Sequence, residues 1–211
     1  LLPQLRDSVA GSDTGESRVA VTCENSWAPR HAATTDLLMT FRLSLVDDRR
    51  PIENTTIVGA PGSVYASTEN LYVVGTEVFD GGHFTPDFAV TRIHKLGVFT
   101  ANNKTEYRGS AVLEGTVKDE LSVDEDVASG TLRVVVTQND DGNGDPQANS
   151  SALVVLQNDE LDPEQLVEVG RVSDIGNGEV VESVRFIGDR AYVVTFPSGE
   201  SEFAFDESGS P

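Results

Sequence analysis

The chain has 211 residues and carries 35 Asp and Glu against 15 Lys and Arg, a formal net charge of −20. A field of that sign repels phosphate, which argues against nucleic-acid binding and attachment to anionic membranes, and no apolar run reaches the ~20 residues of a membrane span. Leu, Ile, Val and Phe supply 58 residues, enough for a sizeable core, and valine alone (28) outnumbers Leu, Ile and Met together (22), which favours strands over helices.

In chain order, short β-rich runs alternate with clusters of Gly, Asn, Asp, Ser and Pro. Arg18 to Thr22, Leu37 to Leu45 and Thr55 to Gly59 form a first, weak group, read as second, third and fourth strands of one sheet. A complete group follows: Ser63 to Ala66, Leu71 to Thr76, Ala89 to Lys95 and Tyr107 to Leu113. The next complete group is Glu120 to Asp124, Leu132 to Thr137, Ala152 to Gln157 and Gln165 to Val172. The last comprises Glu182 to Ile187, Ala191 to Phe196 and Glu202 to Phe205.

The second strands of the last three groups look alike and begin at Leu71, Leu132 and Ala191, offsets of 61 and 59 residues. A four-stranded unit repeating at about sixty residues is the pattern of a β-propeller blade with long loops. Valine-only centres such as Val134-Val135-Val136 fit strands buried on both faces. The alternative is a two-sheet sandwich, which does not require the near-equal offsets. The predicted architecture is therefore an all-β partial β-propeller of about four blades of four-stranded antiparallel sheet. Its approximate blade spans are 1–60, 61–116, 117–174 and 175–211.

Several stretches carry a resemblance to a known group: Gly62-Ser63-Val64-Tyr65-Ala66-Ser67 with Glu69-Asn70-Leu71-Tyr72-Val73-Val74, Thr91-Arg92-Ile93-His94-Lys95, Tyr107 to Gly115, and Glu182 to Phe196. With the opening Leu1-Leu2-Pro3 and Arg6-Asp7-Ser8, the sequence resembles secreted bacterial and archaeal proteins with a C-terminal β-propeller distantly related to WD-40 repeats. That resemblance implies a secreted or cell-surface location and a propeller fold, and it implies no catalytic residues. It also implies that the pattern continues into further blades, so that the chain is a piece of something longer. An open arc needs cover from the remaining blades of the full-length chain or from a second copy. Self-closure would require Leu1 to Val9 to pair outside Glu202 to Phe205, and Pro3 makes that a poor central strand.

The loop Asn139-Asp140-Asp141-Gly142-Asn143-Gly144-Asp145 places Asp141, Asn143 and Asp145 at alternate positions, where their oxygens can converge on Ca²⁺. It lacks the later Glu of an EF-hand, and a solvated hairpin loop is the simpler reading. His31, His83 and His94 show no metal-ligand spacing, and His94 is expected to be structural. Cys23 is expected as a buried thiol, the alternative being half of a bridge to absent chain. Trp27 either anchors a ligand or plugs a blade edge, and Asp189-Arg190 reads as a turn with Arg185 and Arg190 free for ion pairs. Scarce lysine (Lys95, Lys104, Lys118) among many carboxylates suits either a protein kept soluble in concentrated salt or an ordinary acidic secreted one.

The functional expectation is a secreted or cell-surface interaction module that meets a protein or glycan and has no catalytic activity. The competing expectation is a secreted hydrolase with carboxylates, and a metal, in the propeller channel. Three or more carboxylates converging on the channel would favour the enzyme.

Overall fold

The computed structural model describes residues 2–7, 15–28, 36–47, 50–59, 62–79, 88–98, 104–139 and 149–197. Its strands are β1 (Gln4–Asp7), β2 (Glu16–Val19), β3 (Ser26–Trp27), β4 (Leu37–Arg42), β5 (Glu53–Val58), β6 (Ser63–Ala66), β7 (Asn70–Phe79) and β8 (Phe88–Gly97). They continue as β9 (Glu106–Glu114), β10 (Val123–Asp126), β11 (Thr131–Asn139), β12 (Asn149–Asn158), β13 (Leu166–Ile175), β14 (Glu179–Ile187) and β15 (Arg190–Pro197). Two sheets are complete four-stranded meanders, β6-β7-β8-β9 and β10-β11-β12-β13, with every neighbouring pair antiparallel. Successive sheets packed in series, and not two facing sheets, make up the described residues, an all-β arrangement that sets the sandwich alternative aside.

The stacking follows from alternation along strands that bury both faces. On β7, Tyr72 and Val74 join the core shared with Leu132, Val134 and Val136 of β11, whereas Val73 turns back to Ile57 of β5 and Leu96. On β11 the same division recurs, because Val135 packs forward against Val181 and Val184 of β14. Each of the two complete sheets thus serves as a wall for the one before and the one after. Burying each such Val, Leu or Ile contributes about 1.5–3 kcal/mol.

The first group departs from the expectation. β2 does not lie beside β4; it pairs with β1, and the other three strands form a sheet ordered β3-β5-β4 with β3 parallel to β5. The cause is Asn25. Its Oδ1 accepts from the Thr22 N–H at 2.8 Å and its Nδ2 donates to the Ala20 carbonyl at 2.9 Å, which ends β2 and turns Ser26 and Trp27 onto β5. β4 stops at Arg42 short of Leu45, where the Ser44 hydroxyl accepts from the Asp47 N–H at 3.0 Å and leaves Leu45 exposed.

Glu120 to Asp124 is also corrected. Asp119 caps a 3₁₀ turn over Glu120–Ser122, accepting from Leu121 and Ser122 N–H, so the strand begins at Val123. The final hairpin turns at Gly188-Asp189, one residue before the predicted Asp189-Arg190. Ile187 pairs with Arg190, and Gly188 takes φ 61°, the position a type II′ turn reserves for glycine. Cys23 is exposed in the Thr22–Asn25 turn and not buried as expected. Gln4–Asp7, within the stretch considered for self-closure, pairs with β2, and Glu202 to Phe205 lies outside the described residues.

Candidate functional site: clefts at the first blade junction

Of the residues singled out by sequence, Asp141, Asn143 and Asp145 lie outside the described residues, as do His31 and His83. Asn139 and Asn149 pair across the ends of that loop. Among the described residues no group of three or more His, Cys, Asp or Glu is placed to hold a metal ion. Arg190 sits 3.8 Å from Asp189 on the surface, a pair too solvated to contribute much.

The buried charges cluster instead on the two faces of β8. On its forward face, Lys95 Nζ lies 3.6 Å from Glu125 Oε1, with both side chains almost fully buried. Glu125 projects from β10 into the preceding sheet and accepts from Asn70 Nδ2 and Tyr72 OH, each at 2.7 Å, and from the Ser67 hydroxyl. Its backbone N–H donates to Tyr65 OH at 3.0 Å, and Lys95 also donates to Asn158 Oδ1 at 3.1 Å. Burial drives the Tyr72 phenol far above its usual range, with the Glu125 hydrogen bond adding to the rise. Burial lowers Lys95, and the Glu125 charge works against that fall. This hub joins two blades.

The rear face of β8 looks toward the first sheet. Arg92 is 8% exposed, and its Nε donates to Glu77 Oε2 on β7 at 2.9 Å. His94, two residues along, is buried, and a Cβ on Gly59 would lie 2.9 Å from its Nε2, so only glycine gives the ring that room. Burial, with the Arg92 charge adding to it, holds the His94 imidazole down at about 4. Its Nδ1 lies 3.5 Å from Tyr107 OH.

Trp27 completes the junction. Turned onto β5 by Asn25, it stacks on Tyr107 of β9 with ring centroids 6.0 Å apart and planes 20° from parallel. The plug reading and the ligand reading meet here, because the stack both closes the blade edge and separates two clefts. The smaller, about 310 Å³, is walled by Trp27, Tyr107, Arg92, Ser110, Asp162 and Glu164. The larger, about 860 Å³, runs from Trp27 and Tyr107 past Glu24, Glu53, Asn54 and Glu106. Glu53 Oε2 and Asn54 Oδ1 beside it are buried with no hydrogen-bond partner among the described residues.

Sequence reading missed both the hub and the Arg92 cleft. The available signal was charge within short β-rich runs that also carry core formers: Arg92 precedes Ile93, Lys95 precedes Leu96, and Glu125 lies two residues after Val123. In a sheet covered on both faces such residues have no solvent to turn to, so they must meet partners from the next sheet.

No curated protein and no solved structure matches the chain. A family model described as "Beta propeller domain" matches residues 1–206, nearly the whole length. The match agrees with the stacked meanders, and the chain belongs to the beta propeller domain family.

Proposed function

We propose that this propeller, distantly related to WD-40 repeats, is a non-catalytic interaction module that works outside the cell or at its surface. It meets a protein or glycan partner through the clefts at the first blade junction. The observation that carries the reading is the Trp27–Tyr107 stack, a half-buried aromatic wall with a cleft on either side. Aromatic side chains positioned this way supply contact area at low entropic cost, and they dominate binding hot spots. The deeply buried ionisable groups support it too, because Lys95 pairs with Glu125 and the Arg92 Nε pairs with Glu77. The net charge of −20 fits work in a saline exterior, where screening relieves self-repulsion. Ca²⁺ held by Asp141, Asn143 and Asp145 is the one cofactor that belongs with this reading.

The test presents the intact protein and Trp27→Ala to arrayed glycans and extracellular proteins at low and molar salt, beside a broad hydrolase panel. A partner bound by the parent and at least tenfold more weakly by Trp27→Ala is the expected result. Turnover that disappears on substitution of a channel carboxylate would overturn the reading in favour of a hydrolase.

A further inference from the structure

We infer that the smaller cleft is a subsite for a neutral sugar, with Arg92 as its principal hydrogen-bond donor; this deepens the binding reading and rests on it. Arg92 is more than nine-tenths buried, yet it lines the cleft. Its Nε is taken by Glu77, and the structure gives its two terminal nitrogens no hydrogen bond among the described residues. Those nitrogens are therefore donors held at the cleft wall. Neither nitrogen is among the described buried polar atoms left without a partner, so a ligand oxygen would take the place of solvent there.

The other walls define the ligand. Trp27 and Tyr107 offer an aromatic surface suited to the C–H face of a pyranose ring. Ser110 can donate or accept, and the Asp162 and Glu164 side chains accept only. A ligand that both donates and accepts around an apolar face is a polyol in ring form. A cleft of about 310 Å³ stands at the small end of ligand pockets, which suits one sugar unit better than a chain.

Charge separates the sugar from its rivals. The Arg92 charge is offset by Glu77 at 2.9 Å, two carboxylates stand at the rim, and the chain as a whole carries −20. An anionic ligand is opposed by that field. An organic cation would find carboxylates and aromatic rings to its liking but would also meet a buried guanidinium.

Trp27 is the sole tryptophan and lines both clefts, so its emission reports binding at either, and substitutions at Arg92, Ser110 and Glu164 assign the response to the smaller one. The intact protein is titrated separately with glucose, galactose, mannose, N-acetylglucosamine, glucuronate and choline. At least one neutral sugar should shift the emission saturably, with a Kd on the order of 1 mM for so few contacts. Arg92→Lys, which keeps the charge opposite Glu77 but not the planar fork, should weaken that binding about tenfold. If Arg92→Lys lowers the melting temperature sharply, Glu164→Gln and Ser110→Ala at the cleft mouth take its place, each expected to weaken binding severalfold. Silence toward every neutral sugar up to about 100 mM, or a response to glucuronate or choline alone, overturns the inference. A macromolecular partner lost in Trp27→Ala with no response to any sugar would leave the binding module standing and remove only the sugar subsite.

Discussion

Replacing Glu125 perturbs a single interface. In Glu125→Ala the donors on Asn70 and Tyr72 lose their acceptor, the Ser67 hydroxyl keeps the Asn70 carbonyl at 3.3 Å, and Lys95 keeps only Asn158 Oδ1 at 3.1 Å. Each buried donor left unpaired costs about 1–3 kcal/mol, and breaking a buried ion pair costs about 3–5 kcal/mol, with the two overlapping rather than adding. The expected loss is therefore about 3–5 kcal/mol in a urea titration followed by far-ultraviolet circular dichroism. Glu125→Gln retains an acceptor but not the charge, so it should cost less at pH 7. It should also acquire a pH dependence. Burial already lowers Lys95, and without the carboxylate that restrains the fall its folded value drops further below its unfolded one. The unfolded chain then binds the proton more tightly, so Glu125→Gln gains stability as pH rises from 7 toward the unfolded lysine value near 10.4. Equal losses of under about 1 kcal/mol for both variants, with no recovery at high pH, would refute the hub as a paired network.

Two other outcomes follow from particular groups. His94 is held down at about 4 against an unfolded value of 6.5, so the unfolded chain takes up the proton first as pH falls. The stability advantage of wild type over His94→Gln, measured by urea melts, should shrink by about 3 kcal/mol between pH 7 and pH 4, and a constant difference would contradict the burial of the ring. Millimolar calcium should raise the melting temperature, chelator should reverse the rise, and Asp141→Ala with Asp145→Ala should abolish it; an unchanged melting curve disposes of that ion.

The strands that the sequence made legible are those whose valine-rich centres recur at near-equal offsets, and β15, exposed on one face, was as legible as the doubly buried β7 and β11. Leu71 to Thr76, Leu132 to Thr137 and Ala191 to Phe196 each lie inside an observed strand, and in β7, β11 and β15 that strand extends further at both ends. The ends are set by cross-strand partners such as Phe79 with Phe88 and Asn139 with Asn149, which local composition does not encode. Pairing order in the first group was illegible for a related reason. Hydrophobic pattern identifies a strand but not its neighbour, and a single side chain, Asn25, decided which way the chain turned. Glu120 to Asp124 was misread because an apolar-polar alternation is as compatible with a capped 3₁₀ turn as with a strand start, until the Asp119 hydrogen bonds are seen.

The site was harder to read than the fold because its charges resemble solvated ones in a linear sequence. Arg92 and Lys95 lie three residues apart on β8, an odd spacing that strand alternation turns to opposite faces. Lys95 faces the following sheet and completes the Glu125 hub, whereas Arg92 and His94 face the first sheet and its clefts. One strand thus divides an interface committed to holding blades together from a cleft with donors still open. In stacked sheets each unit touches only its neighbours, so disturbance spreads poorly past the adjoining wall. The forward interfaces even use different seals at equivalent repeat positions. Tyr72 donates to Glu125, whereas Arg133 pairs with Asp124, donates to the Gly188 carbonyl at 2.9 Å and lies 5.4 Å from the centre of the Phe186 ring. At the next equivalent position, Tyr192 is half exposed, and Val194 and Phe196 share its face of β15. The repeat therefore conserves which face a residue serves while leaving the chemistry of each face free to vary, and that freedom is what permits an open, aromatic-walled cleft at one junction and a sealed ionic hub at the next.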